Sequence, residues 1–136
     1  MMKNGLLAAL VLCVCACGAY VFPGSSPSPT PATGTVSGRV MAVPCAPVEQ
    51  AEAPCTGRPV PQLEIDYLTG TTVNSMTRTD GSGRYSVTLR PGAYTVRMKT
   101  YMRVISGPVN LTVGPGSNIV ADYVLDTGIR LPVPQQ

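Results

Sequence analysis

From Val36 to Leu125 the apolar residues recur mostly at every second position, the spacing of strands with one dry face. Leu63, Ile65 and Tyr67 alternate with Glu64 and Asp66. Tyr85, Val87 and Leu89 alternate with Ser86, Thr88 and Arg90. Tyr94, Val96 and Met98 alternate with Thr95, Arg97 and Lys99. Val109, Leu111 and Val113 form a shorter run, and Ile119, Ala121, Tyr123 and Leu125 form the last. Val36 to Val43 opens the series. Thr71 to Thr79 is Thr-rich, a strand composition with a weakly apolar face. The runs are punctuated by Thr69-Gly70, Asp80-Gly81-Ser82-Gly83, Pro91-Gly92, Ser106-Gly107-Pro108 and Gly114-Pro115-Gly116-Ser117. The pattern predicts seven strands and no helix in this region. Sheets with one dry and one wet face bury the dry faces against each other. The expected fold class is therefore all-β, a β-sandwich.

The N-terminus lacks this alternation. Lys3 precedes an uncharged run from Leu6 to Val14. A bilayer span needs about 20 apolar residues, so the run is too short to cross and reads as a secretory signal peptide. It ends Val14-Cys15-Ala16-Cys17-Gly18, which resembles a bacterial lipobox: aliphatic, variable, small, then the cysteine that takes lipid. The resemblance implies cleavage after Ala16 and lipidation of Cys17, and with it a membrane anchor rather than a span. Val14 stands where leucine is commonest, and ordinary cleavage after Ala19 is the alternative. The segment to Gly34 is a Ser/Thr/Pro tract with little to bury. It reads as an extended tether, or as an O-glycosylated stalk. The expected organisation is a signal peptide over 1–16, a lipidated cysteine and linker over 17–34, a sandwich domain over 35–127 and a tail over 128–136.

Composition removes several function classes. The 136 residues include no His, which excludes a Ser-His-Asp triad, a His-paired cysteine nucleophile and a His-ligated metal. The net charge of +3 is dispersed and too weak for a nucleic-acid protein. With Cys13 and Cys15 removed and Cys17 lipidated, Cys45 and Cys55 remain. An even remainder in an exported chain predicts one disulfide, closing a Pro-rich loop for roughly 2 to 3 kcal/mol. A metal or redox pair fits this spacing poorly.

Thr79-Asp80-Gly81-Ser82-Gly83-Arg84-Tyr85-Ser86-Val87 and then Leu89-Arg90-Pro91-Gly92-Ala93-Tyr94-Thr95-Val96 resemble the hallmark of carboxypeptidase regulatory-like domains. Gly34 to Val40 resembles the first strand of that family. The resemblance covers roughly residues 34 to 126, with an insert from Cys45 to Arg58. It implies a seven-stranded Greek-key sandwich of transthyretin-like, prealbumin-like type. In such a motif Asp80 sets the turn, Gly81 and Gly83 permit positive φ, Pro91 and Gly92 turn the chain, and Tyr85 and Tyr94 pack inward. Calcium at Asp80 would need more oxygens than this stretch offers. Hydroxyisourate hydrolases share the transthyretin type, but their His and C-terminal Tyr-Arg-Gly-Ser segment are missing here.

The candidate ligand face is a basic ladder of Arg97, Lys99 and Arg103, with Arg90 nearby and Tyr67 and Tyr101 as aromatic neighbours. It suits an acidic polymer or anionic headgroups, or else is a solvated face that deters edge pairing. Glu64 and Asp66 read as a solvated strand face rather than an acid pair for catalysis. No catalytic residue, metal or cofactor is expected. The leading function is a non-catalytic extracytoplasmic lipoprotein presenting an interaction or structural module. Its partners would be the membrane, through the anchor, and a protein or polysaccharide. The alternative is a carbohydrate-binding module of starch-binding type, for which Tyr67, Tyr101 and Tyr123 are the available aromatics.

Overall fold

The computed structural model describes residues 24, 29, 32–48, 52 and 55–129. The expected signal peptide, the expected lipidation at Cys17, most of the expected linker and the end of the tail lie outside the described residues. The fold is an all-β sandwich of two sheets. Strand β1 (Gly34–Val43) is the spine of the larger sheet. Its inward positions Val36, Val40 and Ala42 are buried in the core. Its first half pairs antiparallel with β5 (Arg84–Leu89) on one side and parallel with β9 (Asn118–Val120) on the other. Its second half pairs antiparallel with β2 (Arg58–Pro59) and parallel with β10 (Tyr123–Asp126). Beyond β10 lies β7 (Arg103–Ser106).

The second sheet runs β4 (Thr72–Arg78), β3 (Glu64–Thr69), β6 (Gly92–Met98), β8 (Asn110–Val113), all antiparallel. Ile65, Tyr67, Tyr94, Val96, Leu111 and Val113 face the first sheet and close the core with Tyr85, Leu89, Tyr123 and Leu125. Each such aliphatic side chain contributes about 1.5 to 3 kcal/mol by leaving water. The sheets meet at β4 and β5, where the Thr77 hydroxyl donates to the Ser86 carbonyl at 3.0 Å.

Seven strands are predicted and ten segments form. The last apolar run divides into β9 and β10 because Ala121 and Asp122 leave the ladder. The Ala121 carbonyl takes the Tyr85 hydroxyl, and the Asp122 carboxylate takes the Arg39 amide. The added β2 lies at the end of the predicted insert, and β7 forms in a stretch without alternation, exposed along its length. Its neighbour β10 supplies the ladder that periodicity in β7 does not announce.

The turn before β5 is built from the sequence signal. Asp80 Oδ1 accepts the Ser82 amide and hydroxyl at 2.8 Å each and the Arg84 amide at 2.9 Å. Those bonds, led by the Ser82 hydroxyl, hold the Asp80 carboxyl below its usual range. Gly83 takes φ +76°, and a Cβ there would sit 2.5 Å from the Val40 carbonyl oxygen, so glycine is required. Gly81, expected to share the positive φ, does not adopt it. Cys45 and Cys55 are disulfide-bonded with Cα atoms 5.6 Å apart. The bridge closes the loop between β1 and β2.

Candidate functional site

The basic ladder does not stand free. Arg97 lies on β6 opposite Asp66 on β3, Lys99 follows directly after β6 with its amide on the Glu64 carbonyl at 3.0 Å, and Arg78 lies on β4 opposite Glu64. Arg97 reaches Asp66 at 2.9 Å, Arg78 reaches Glu64 at 2.8 Å, and Lys99 bonds Glu64 directly. Lys99 also stands 3.9 Å from Asp66. The solvated reading of Asp66 is therefore corrected: its side chain is 1% exposed, covered by the cross-strand arginine. Alternation assigns Asp66 to the outer face, but it says nothing of what lies across the ladder. Three cations and two carboxylates neutralise most of the charge that a ligand would need.

This network makes stability depend on pH in a defined direction. Hydrogen bonds from Lys99 and then Arg78 draw Glu64 below the ordinary carboxylate range. The bond to Glu64, followed by the Asp66 charge, pushes Lys99 above the ordinary lysine range. A lowered acid contributes stability present above its unfolded value and lost as pH falls through its folded value. A raised lysine contributes stability complete below its unfolded value and lost as pH rises through its folded value. Glu64→Gln is expected to flatten the fall of Tm below about pH 5, though not abolish it, because Asp80 is also lowered. Thermal unfolding from acid to neutral pH checks this. An acid limb as steep as wild type would show that the pair contributes nothing.

The other ladder residues are dispersed. Arg103 sits on β7 in the other sheet, opposite Asp126. Tyr101 lies in the crossing between the sheets and is 91% exposed. Tyr67 is 0% exposed, so its place on a ligand face is corrected: its ring is core. Tyr123 is buried in the same way. Among the described residues, the Tyr67 hydroxyl is the buried side-chain polar atom with no hydrogen-bond partner, and burial raises its pKa. The neighbouring Tyr85 hydroxyl commits its proton to the Ala121 carbonyl at 2.5 Å.

Clefts among the described residues indent the sandwich. One, of about 510 Å³, opens where β4 meets β5 and is lined by Thr69, Asn74, Ser75, Thr88, Arg90 and Tyr94, with Leu89 and Pro91. Tyr94 is fixed there by donating to the Arg90 carbonyl at 2.9 Å. Another, of about 350 Å³, opens over β5, β1 and the end of β9, and holds Arg39, Arg84 and Asp122. Neither arginine belongs to the predicted ladder. Alternation places both outward, but only the strand register brings them together.

No protein-family model matches the chain, and no curated protein matches it. Among solved structures, it is similar to GBS52, the minor pilin of the gram-positive pathogen Streptococcus agalactiae. The TM-score is 0.48 at 14% identity, over 77% of this chain and 48% of that one. The chain thus spans about half the length of that pilin.

Proposed function

We propose that the protein is a non-catalytic extracytoplasmic lipoprotein, whose carboxypeptidase regulatory-like sandwich serves as a tethered interaction or structural module. The observation that carries this reading is the place of β1. The Ser/Thr/Pro tract runs directly into β1, and β1 is paired on both sides along nearly its whole length. A tether thus joins the strand hardest to peel from the sheet, because pulling on it opposes ladders to β5, β9 and β10 together. The Cys45–Cys55 bond fits an oxidising compartment. Cys17 would carry the lipid. A second reading, a carbohydrate-binding module, is favoured by the hydroxyl groups of Thr69, Ser75 and Thr88 in the larger cleft.

Intact mass of the mature protein from its native membrane, with and without reductant, tests the reading. The expected chain begins at Cys17, carries acyl mass, and gains one hydrogen on each of Cys45 and Cys55 when reduced. A chain beginning at Tyr20 without acyl mass would overturn the anchor. No mass change on reduction would overturn the bridge.

A further inference from the structure

The smaller cleft brings two like charges together on neighbouring strands. Arg39 on β1 and Arg84 on β5 are direct cross-strand partners, and both point outward. Like charges placed opposite each other in a ladder destabilise it. On the other sheet the cations of β4 and β6 are matched by Glu64 and Asp66. Among the described residues, neither Arg39 nor Arg84 has a carboxylate within ion-pair distance. Asp80 is engaged by its own turn, where the Arg84 charge also reaches it without an ion pair. Asp122 lines the cleft with its Oδ1 on the Arg39 amide at 2.7 Å, so the cleft holds two cations to one carboxylate. The Arg39 side chain is held in place by donating from Nε to the Ser82 carbonyl at 2.9 Å, which leaves its terminal nitrogens for another group.

We propose that this cleft binds the carboxylate of an acidic polysaccharide, a uronate, between the Arg39 and Arg84 guanidiniums. Paired guanidiniums suit a planar carboxylate, which accepts forked hydrogen bonds. The surroundings suit a sugar. The outward neighbours along β1 and β5 are Thr35, Ser37, Ser86 and Thr88, in register as two facing hydroxyl pairs. Val120, 75% exposed, offers a small apolar surface beside Ser37 for a ring's C–H face. β5 lines both indentations, with Arg84 in the smaller and Thr88 in the larger, and so suits a chain of several residues rather than a monosaccharide. This inference rests on the reading of the protein as a non-catalytic interaction module, and it assigns that module a ligand.

The test is calorimetric titration of the mature protein with a galacturonate hexamer and, separately, with neutral maltohexaose. The hexauronate is expected to bind at least tenfold more tightly at low salt and to weaken as salt rises. Arg84→Gln and Arg39→Gln should each weaken it about tenfold, with Tm preserved in Arg84→Gln because that side chain is exposed. Arg103→Gln, on β7, should leave binding unchanged. Equal affinity for the neutral hexamer, absence of hexauronate binding, or unchanged affinity in Arg84→Gln would each overturn the proposal. An unlipidated mature mass would sink the anchor while leaving the cleft untouched.

Discussion

Gly38→Ala is expected to leave the sandwich unfolded under conditions where the wild-type protein is folded. Gly38 lies on the inward side of β1 between Val36 and Val40, at the point where β1 changes partner from β9 to β10. A Cβ there would lie 2.0 Å from the Ala121 carbonyl oxygen, 2.6 Å from its carbon and 3.1 Å from the Tyr85 hydroxyl. The first two atoms are backbone and cannot rotate away. Ala121 is also held twice: its amide donates to Ser37 at 2.8 Å, and its carbonyl accepts from Tyr85. Moving it to make room would break both bonds. Overpacking costs about 1 to 3 kcal/mol, and more where backbone must shift. Each buried group left unpaired adds about 1 to 3 kcal/mol. The sum approaches the lower end of the roughly 5 to 15 kcal/mol that holds a domain folded. Urea unfolding followed by far-ultraviolet circular dichroism measures the effect. Gly81→Ala, with no atom near its added Cβ, is the matched control and should melt close to wild type. A Gly38→Ala protein as stable as that control would mean that β1 and Ala121 are not in contact as described.

The same position marks the limit of what alternation reveals. Local spacing places Ile65, Tyr85, Leu89, Val96 and Leu125 on the dry side, and all are core. It works there because a strand's period is a property of its own backbone. Gly38 carries no such signal: its requirement comes from Ala121, far along the chain, and appears only when β1 and β9 are set side by side. The Arg39–Arg84 pair is hidden for the same reason. Each residue reads as an outward cation, and only the long-range register of β1 against β5 makes them opposite. Asp66 fails in the other direction. Its outward parity is right, but the Arg97 side chain lies over it and removes it from water. The break between β9 and β10 is likewise set by two tertiary hydrogen bonds, which no pattern in Ile119 to Leu125 encodes.

Tyr123→Ala is expected to be the most damaging of the simple core truncations, and Tyr123→Phe separates its two contributions. The Tyr123 ring is buried, with its centroid 6.4 Å from that of Tyr85 and a tilt of 38°. Gly107 comes so close that a Cβ there would stand 2.3 Å from the ring. The hydroxyl donates to the Pro108 carbonyl at 2.8 Å. One side chain thus fills the core beneath β10 and fixes the crossing from β7 to β8. Large aromatic-to-Ala changes cost about 3 to 5 kcal/mol, or roughly 15 to 30 °C in Tm for a domain of this size. Tyr123→Phe keeps the ring and loses the hydroxyl bond, for about 1 kcal/mol. The Phe variant also carries a pH signature. Burial pushes the Tyr123 hydroxyl up to about 12. Its contribution is therefore complete below the ordinary tyrosine value near 10 and lost as pH rises toward 12. Tyr123→Phe should flatten that part of the alkaline loss while lowering Tm slightly at neutral pH. An alanine variant that melts with the phenylalanine variant would show that the ring is dispensable. The crossing would then be held by the Pro108 bond, and β7 would owe its position to β10 alone.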